Sequence, residues 1–370
     1  MIFKLNNQPY SVENIEYLRQ DFINEKKIVL FVGAGINITT TNKLGWDGLL
    51  NNLFREAIIF NYSNPDQQES LKGLFDIEKG DYIEYKKFFA YKEFPAIFKA
   101  SIIKQILGDN YINSIQYYIY SKCSYSILYD DISKSFNRDE FFNKDPKQAD
   151  SPQYTTLYQI AKLILLYSSV VAVVNYNYDN FLSNAIRILK ELFQSNNIKC
   201  QDIIPLDFSG VSNDREIKNR TIPIYHVHGY IPPPNELIVS KKNKIILSIE
   251  EFYDDFGDVF SWHTSTPIHL ACNFTSIFMG LSLTDINTQR IIRHASNQHN
   301  NTKKMYYFTS TDMNSKDKNY EIYELLTKMK YSFFENYGLI PITTSEGYSK
   351  LYKSIDYILH EFKKSTGKTI

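Results

Sequence analysis

The chain has 370 residues, 43% of them hydrophobic, which is enough apolar material for one large domain or two ordinary ones with a sizeable core. Lysine and arginine number 41, as do aspartate and glutamate, so no global field marks the chain for nucleic acid or a membrane surface. Three cysteines, Cys123, Cys200 and Cys272, stand far apart with no C-x-x-C pair, which excludes a disulfide framework and a zinc ribbon. That usage suits a reducing compartment. The N-terminus is polar, and no uncharged apolar run approaches the ~20 residues that span a bilayer, so a cytoplasmic protein is expected.

In chain order, a short amphipathic segment over residues 11–24 precedes KIVLFVGAG (27–35), a continuous apolar run that ends in glycine and reads as a buried parallel strand. LGWDGLLNNLFREAIIF (44–60) reads as a loop leading into a helix. From 61 to 154 the sequence is aromatic and polar, with helix-like pieces such as FPAIFKASIIKQIL and no clear strand, and it closes in the turn-rich NKDPKQADSP. YSSVVAVVNYN (167–177) then predicts a strand, and FLSNAIRILKELF (181–193) a helix, because its apolar residues recur at helical spacing. TIPIYHVHG, TSIFMG, KKMYYFTS and GLIPIT predict further strands. DINTQRIIRHAS, YEIYELLTKMK and GYSKLYKSIDYILHEFKK predict the helices among and after them. Strands alternating with helices predict an α/β fold, a Rossmann-like doubly wound and mostly parallel sheet. Its core comprises residues 1–60 and 155–370, with 61–154 as a mainly helical insertion module.

Four strands end in glycine or polar residues: FVGAGIN, VVNYNYDN, YHVHG and FMGLSLTD. In an open parallel sheet, ligands sit outside the carboxyl ends of the strands, so these four clusters are expected to converge. Gly33 and Gly35 allow a tight turn and close approach to a pyrophosphate, with a helix starting just beyond to offer its amides. The third glycine of a G-x-G-x-x-G loop is missing, since Ile38 takes its place, and a purely structural turn explains two glycines as well. Asp179 or Asn180 is placed to cap the following helix, a reading that accounts less well for Asn177. His226 and His228 stand two apart, so strand alternation would aim both imidazoles the same way. A metal site needs more ligands than the scattered His263, His269, His294 and His299 supply. His226, inside the strand, reads as a satisfied core histidine. His228, at the strand end beside Gly229, is placed to meet a ligand and suits a general base near neutrality.

Gly33-Ala34-Gly35, Tyr176-Asn177-Tyr178-Asp179, His228-Gly229 and the Gly280, Ser282, Asp285 spacing, in this order, resemble the sirtuin-like family, as does the segment at 245–256 that follows the His-Gly strand. The resemblance covers roughly residues 26–60 and 165–345. Deacylases of that family carry a four-cysteine zinc module, which this chain cannot build. The resemblance therefore implies the bacterial branch that cleaves NAD without a peptide substrate, often as the killing arm of antiphage defence, with NAD as substrate and no zinc or other cofactor. It implies that the Gly33-Ala34-Gly35 loop holds the pyrophosphate, that Ile36 and Asn37 also belong to the NAD-binding set, that Asp179 meets the nicotinamide amide, and that Asn177 positions the nicotinamide ribose or a water. His228 would be the general base, and Gly280 and Ser282 would line the adenosine side. Asp285 would join them or cap the next helix.

A non-catalytic NAD or ADP-ribose sensor is the alternative from another class, and a deacylase or ADP-ribosyltransferase the alternative enzyme. Because unrestrained NAD destruction would poison its host, control is expected from homo-oligomerisation or from a separate activating subunit, such as a ring ATPase, an argonaute-like protein or a nucleotide-sensing protein. The basic stretches at 241–244 and 301–304 read as solvated loops, so no direct nucleic-acid binding and no membrane partner is expected.

Overall fold

The computed structural model describes residues 11–24, 26–37, 45–62, 95–121, 123–136, 156–209, 220–234, 245–257, 261–283, 285–298, 303–310 and 320–344. The helix expected over 347–364 and the basic segment at 241–244 lie outside them. The first part of the chain gives α1 (Ser11–Ile23), β1 (Ile28–Val32), α2 (Trp46–Tyr62), α3 (Ala96–Leu107), α4 (Tyr111–Tyr120), α5 (Tyr125–Ser135) and α6 (Thr156–Leu166). There follow β2 (Val170–Asn175), α7 (Phe181–Ser195), β3 (Ile204–Phe208), β4 (Thr221–His226), α8 (Ile249–Gly257) and α9 (Trp262–Asn273). The remainder is β5 (Thr275–Met279), α10 (Ile286–Gln298), β6 (Met305–Ser310), α11 (Tyr320–Glu335) and β7 (Leu339–Thr344).

The strands form one seven-stranded sheet in the order β3-β4-β2-β1-β5-β6-β7. Every pairing among them is parallel. The fold is therefore α/β and Rossmann-like. β1 lies at the centre because its five residues are buried on both faces, as a continuous apolar run requires. Ile28, Leu30 and Val32 enter one apolar cluster with residues of α1 to α7, while Val29 and Phe31 enter a second with residues of α9, α10 and α11. Phe31 stacks on Phe278 of β5 in that second layer, ring centroids 4.6 Å apart. Helices α3, α4 and α5, from the interval after residue 61, share the first cluster with α2, α6 and α7.

One strand is absent from the sequence-based reading. Residues 204–208, IPLDF, form the edge strand β3, where Pro205 can sit because an edge residue need not donate to a second neighbour. Pro223 in the interior strand β4 precedes the residues that pair with β2, which begin at Ile224. The chain reverses direction around the sheet between β4 and β5, so the carboxyl ends of β1, β2, β4 and β5 border the crevice that this topology opens.

Candidate functional site

A cavity of about 430 Å³ sits at those strand ends, within the range usual for small-molecule sites. Gly33, Ala34 and Asn37 line it from β1, Asn177 and Asp179 from β2, His228 from β4, and Gly280, Ser282 and Asp285 from β5. All four clusters named from the sequence thus meet in one place. Gly35 and Ile36 do not line it. Ile36 is fully buried in the core, and Gly35 donates its N–H to the carbonyl of Gly280 over 2.9 Å.

The glycines make a seam. A Cβ on Gly35 would stand 2.6 Å from the Cα of Gly280, and one on Gly280 would stand 2.6 Å from the amide nitrogen of Ile36. Gly33 donates to the carbonyl of Met279 at 3.1 Å, so the ends of β1 and β5 are joined backbone to backbone. The expected helix just beyond Gly35 is replaced by a short 3-10 turn over Ala34–Asn37, and α2 begins only at Trp46. With Gly35 and Ile36 bonded to Gly280 and Gly33, those amides serve the turn. Gly280 has φ +66° and Leu283 has φ +52°, a conformation that disfavours a side chain and marks the segment after β5 as strained.

The ends of β2 and β4 are built from buried polar groups. Asp179 accepts the Phe181 N–H at 3.0 Å on one oxygen, which helps start α7, and the Asn37 side-chain amide at 2.9 Å on the other. It therefore links the end of β2 to the end of β1. Burial pushes its carboxyl from the ordinary 3.8 up to about 6, against the opposing pull of the Phe181 amide, His226 and Asn37. The carboxylate keeps acceptor capacity for a ligand donor. Asn177 is 6% exposed, its backbone N–H is taken by the Asn175 side chain at 3.0 Å, and its side-chain Nδ2 has no hydrogen-bond partner among the described residues. A buried donor without an acceptor costs about 1–3 kcal/mol, so this amide fits a site that a polar ligand completes.

The two histidines do not share an environment. β4 ends at His226 and the chain turns there, with Gly229 N–H bonding the His226 carbonyl, so strand alternation does not extend to His228. His226 is 0% exposed and makes contacts of 2.9 Å with the carbonyl of Asn177 and with Asp207 of β3. His228 lines the cavity, edge-on to Tyr176 at 5.0 Å, and its carbonyl accepts the Ile246 N–H at 2.8 Å. His263 reaches the neighbouring Val227 carbonyl at 2.8 Å. Asp285 caps α10, taking both the N–H and the hydroxyl of Thr288 on one oxygen, while still bordering the cavity; Ser282 stands exposed at its rim.

The rest of the wall was not legible as function. Trp46 and Leu49 of α2, Ala96 and Ile97 of α3, Ile119 of α4 and Phe252 of α8 supply an apolar side that reads in sequence as ordinary helix faces. Asp207 also went unnoticed, although an acidic residue between Leu206 and Phe208 in a short apolar run was a usable signal. Among the described residues no group of three or more histidine, cysteine or acidic side chains could hold a metal ion. No helix among them is long and apolar enough to cross a membrane.

No curated protein matches the chain. Residues 171–342, which run from β2 into β7 and include Asn177, Asp179, His228, Gly280, Ser282 and Asp285, match the SIR2-like domain, a domain often found in NAD-dependent enzymes. That match covers just under half of the chain, and it supports the resemblance of its strand-end motifs to the sirtuin-like family.

Proposed function

We propose that the chain is an NAD glycohydrolase that releases nicotinamide and ADP-ribose, an effector subunit of a bacterial antiphage system that depletes cytoplasmic NAD when activated. The observation that carries this reading is the pairing, around one cavity, of the unpartnered Asn177 amide with a histidine at the end of the neighbouring strand. A pure binding site has no evident use for that pair.

In this reading the C1′–N bond of the nicotinamide ribose breaks with its electron pair going to nicotinamide, which leaves neutral, while the ribose takes up oxocarbenium character. Such a step needs orientation and exclusion of bulk water more than a strong acid. The apolar wall from α2, α3, α4 and α8 supplies the exclusion. Asn177 holds the ribose or the attacking water, and Asp179 accepts from the nicotinamide carboxamide. Water adds at C1′ and gives its proton to His228, which passes it to solvent. Gly33, Ala34 and Asn37 flank the pyrophosphate, while Gly280, Ser282 and Asp285 border the adenosine side. Activity is held in check by homo-oligomerisation or by a separate activating subunit.

The test is incubation of the purified chain and its His228→Ala variant with NAD, followed by chromatographic quantification of nicotinamide and ADP-ribose. Release by the parent, reduced by about 10²-fold or more in the variant, is expected. A parent that binds NAD yet releases no nicotinamide, alone or assembled with its activator, would identify a sensor instead.

A further inference from the structure

We propose that Asp207 and His226 form a buried ion pair that positions Asn177 from behind the cavity, a role that rests on the NAD-cleaving reading of the site. His226 lies at the last residue of β4, and its two ring nitrogens each meet an acceptor. Nδ1–H donates to the carbonyl of Asn177 at 2.9 Å, and Nε2 lies 2.9 Å from Oδ1 of Asp207. A neutral imidazole carries one N–H, so with an ionised Asp207 as the second acceptor, satisfying both requires the imidazolium. With Asp207 ionised, the pair is charge-balanced and fully enclosed on the histidine side.

Asp207 is itself held from α7. The Ser183 hydroxyl donates to Oδ1, and the Arg187 guanidinium stands 3.9 Å from Oδ2. The other ionisable or polar groups facing this pair are Asp179, the Tyr120 hydroxyl and the Tyr230 ring, the last with its centroid 4.9 Å from that of His226. Burial alone would lower the His226 titration point. The bond and charge of Asp207, with the Asn177 carbonyl and the Asp179 charge, reverse this and raise it.

The consequence falls on Asn177. Its N–H is tied to Asn175 and its carbonyl to His226, so both backbone groups are fixed and only the side chain remains to turn. That side chain ends in the unpartnered Nδ2. A buried ion pair gains little net stability over apolar packing of the same shape, so the effect of this one is orientation. Neither Asp207 nor His226 lines the cavity, which makes both positioning residues.

The test uses Asp207→Asn, which keeps the shape and removes the charge that makes His226 an imidazolium. At pH 8 the variant should cleave NAD with a kcat about 100-fold below the parent and a KM within about twofold of it, as a small misplacement of a catalytic group produces. Lowering the pH restores the proton to His226, so the ratio of variant to parent rate should climb. Ser183→Ala, which leaves both ions in place, should lose less than about tenfold. Alongside, NMR of 15N-histidine-labelled parent at pH 7.5 should show one ring with both nitrogens protonated. That signal should be absent in His226→Gln and take the neutral pattern in Asp207→Asn. A neutral His226 in the parent overturns the ion pair. A rate ratio flat with pH, or a loss confined to KM, overturns the positioning role. A parent that releases no nicotinamide, alone or assembled with its activator, sinks the glycohydrolase reading and the positioning role with it, while the NMR signal still decides the ion pair.

Discussion

The two halves of the cavity floor are made by opposite means. Where β1 meets β5, three glycines let main chains touch, with the Leu281 and Ile36 side chains packed close beside them; where β2 meets β4, buried asparagine, aspartate and histidine fill the space. The first half tolerates no added volume. The second tolerates shape-preserving changes and is sensitive to charge and protons instead. One crevice can therefore be disturbed along two independent axes.

The largest effect is expected from Gly280→Ala, which combines a disfavoured positive φ with a Cβ 2.6 Å from backbone nitrogen. A loss of roughly 2–5 kcal/mol in urea unfolding should follow. Unchanged stability would show that the seam can open freely. Gly35→Ala, at an ordinary φ but equally close to backbone, should lose about 1–3 kcal/mol in the same measurement.

On the polar side, Asp179→Asn should act through protons. Folding raises the Asp179 value from 3.8 to about 6, so the folded chain holds that proton more tightly than the unfolded one. Its favourable contribution is complete below pH 3.8 and is lost as the pH rises through about 6. The displacement corresponds to about 3 kcal/mol, an upper bound on what the variant gains relative to the parent between those limits. His226, also raised, contributes in full below its ordinary 6.5 and loses that contribution at higher pH. Stability curves of parent and Asp179→Asn from pH 3.5 to 7 should therefore diverge toward neutrality; parallel curves would mean that Asp179 is not desolvated as described.

The smallest expected change in stability is that of Asn177→Leu. Removing a buried donor that has no acceptor should leave the ligand-free chain within about 1 kcal/mol of the parent or slightly above it, while nicotinamide release falls. Destabilisation by several kcal/mol would reveal a hidden partner for Nδ2.

Much of this frame was legible because it is local. Ile28 to Val32 announce a doubly buried strand by composition, and the helical spacing in 181–193 recurs in α7. β3 was not legible: five residues with a proline and mixed burial carry little period, and only pairing with Thr221 to Tyr225 makes them a strand. The strand-end motifs correctly gathered Asn177, Asp179 and His228 at one cavity. The reason for Gly35 could not be read, because its nearest neighbour, Gly280, is remote in sequence. The shared orientation expected for His226 and His228 depended on strand geometry persisting past residue 226, and the turn held by Gly229 ends it.

The central position of β1 also bears on synthesis. Ile28 pairs with Val170 on one side and Thr275 on the other. The first partner is translated roughly 140 residues after it and the second roughly 250, a delay of about 12 to 50 s for the latter at ribosomal rates of about 5–20 residues per second. During that time IVLFV is an apolar segment with an open edge, the type of stretch that recruits other chains. Lys26 and Lys27 stand immediately before it, charged residues of the kind that flank such stretches and oppose their association.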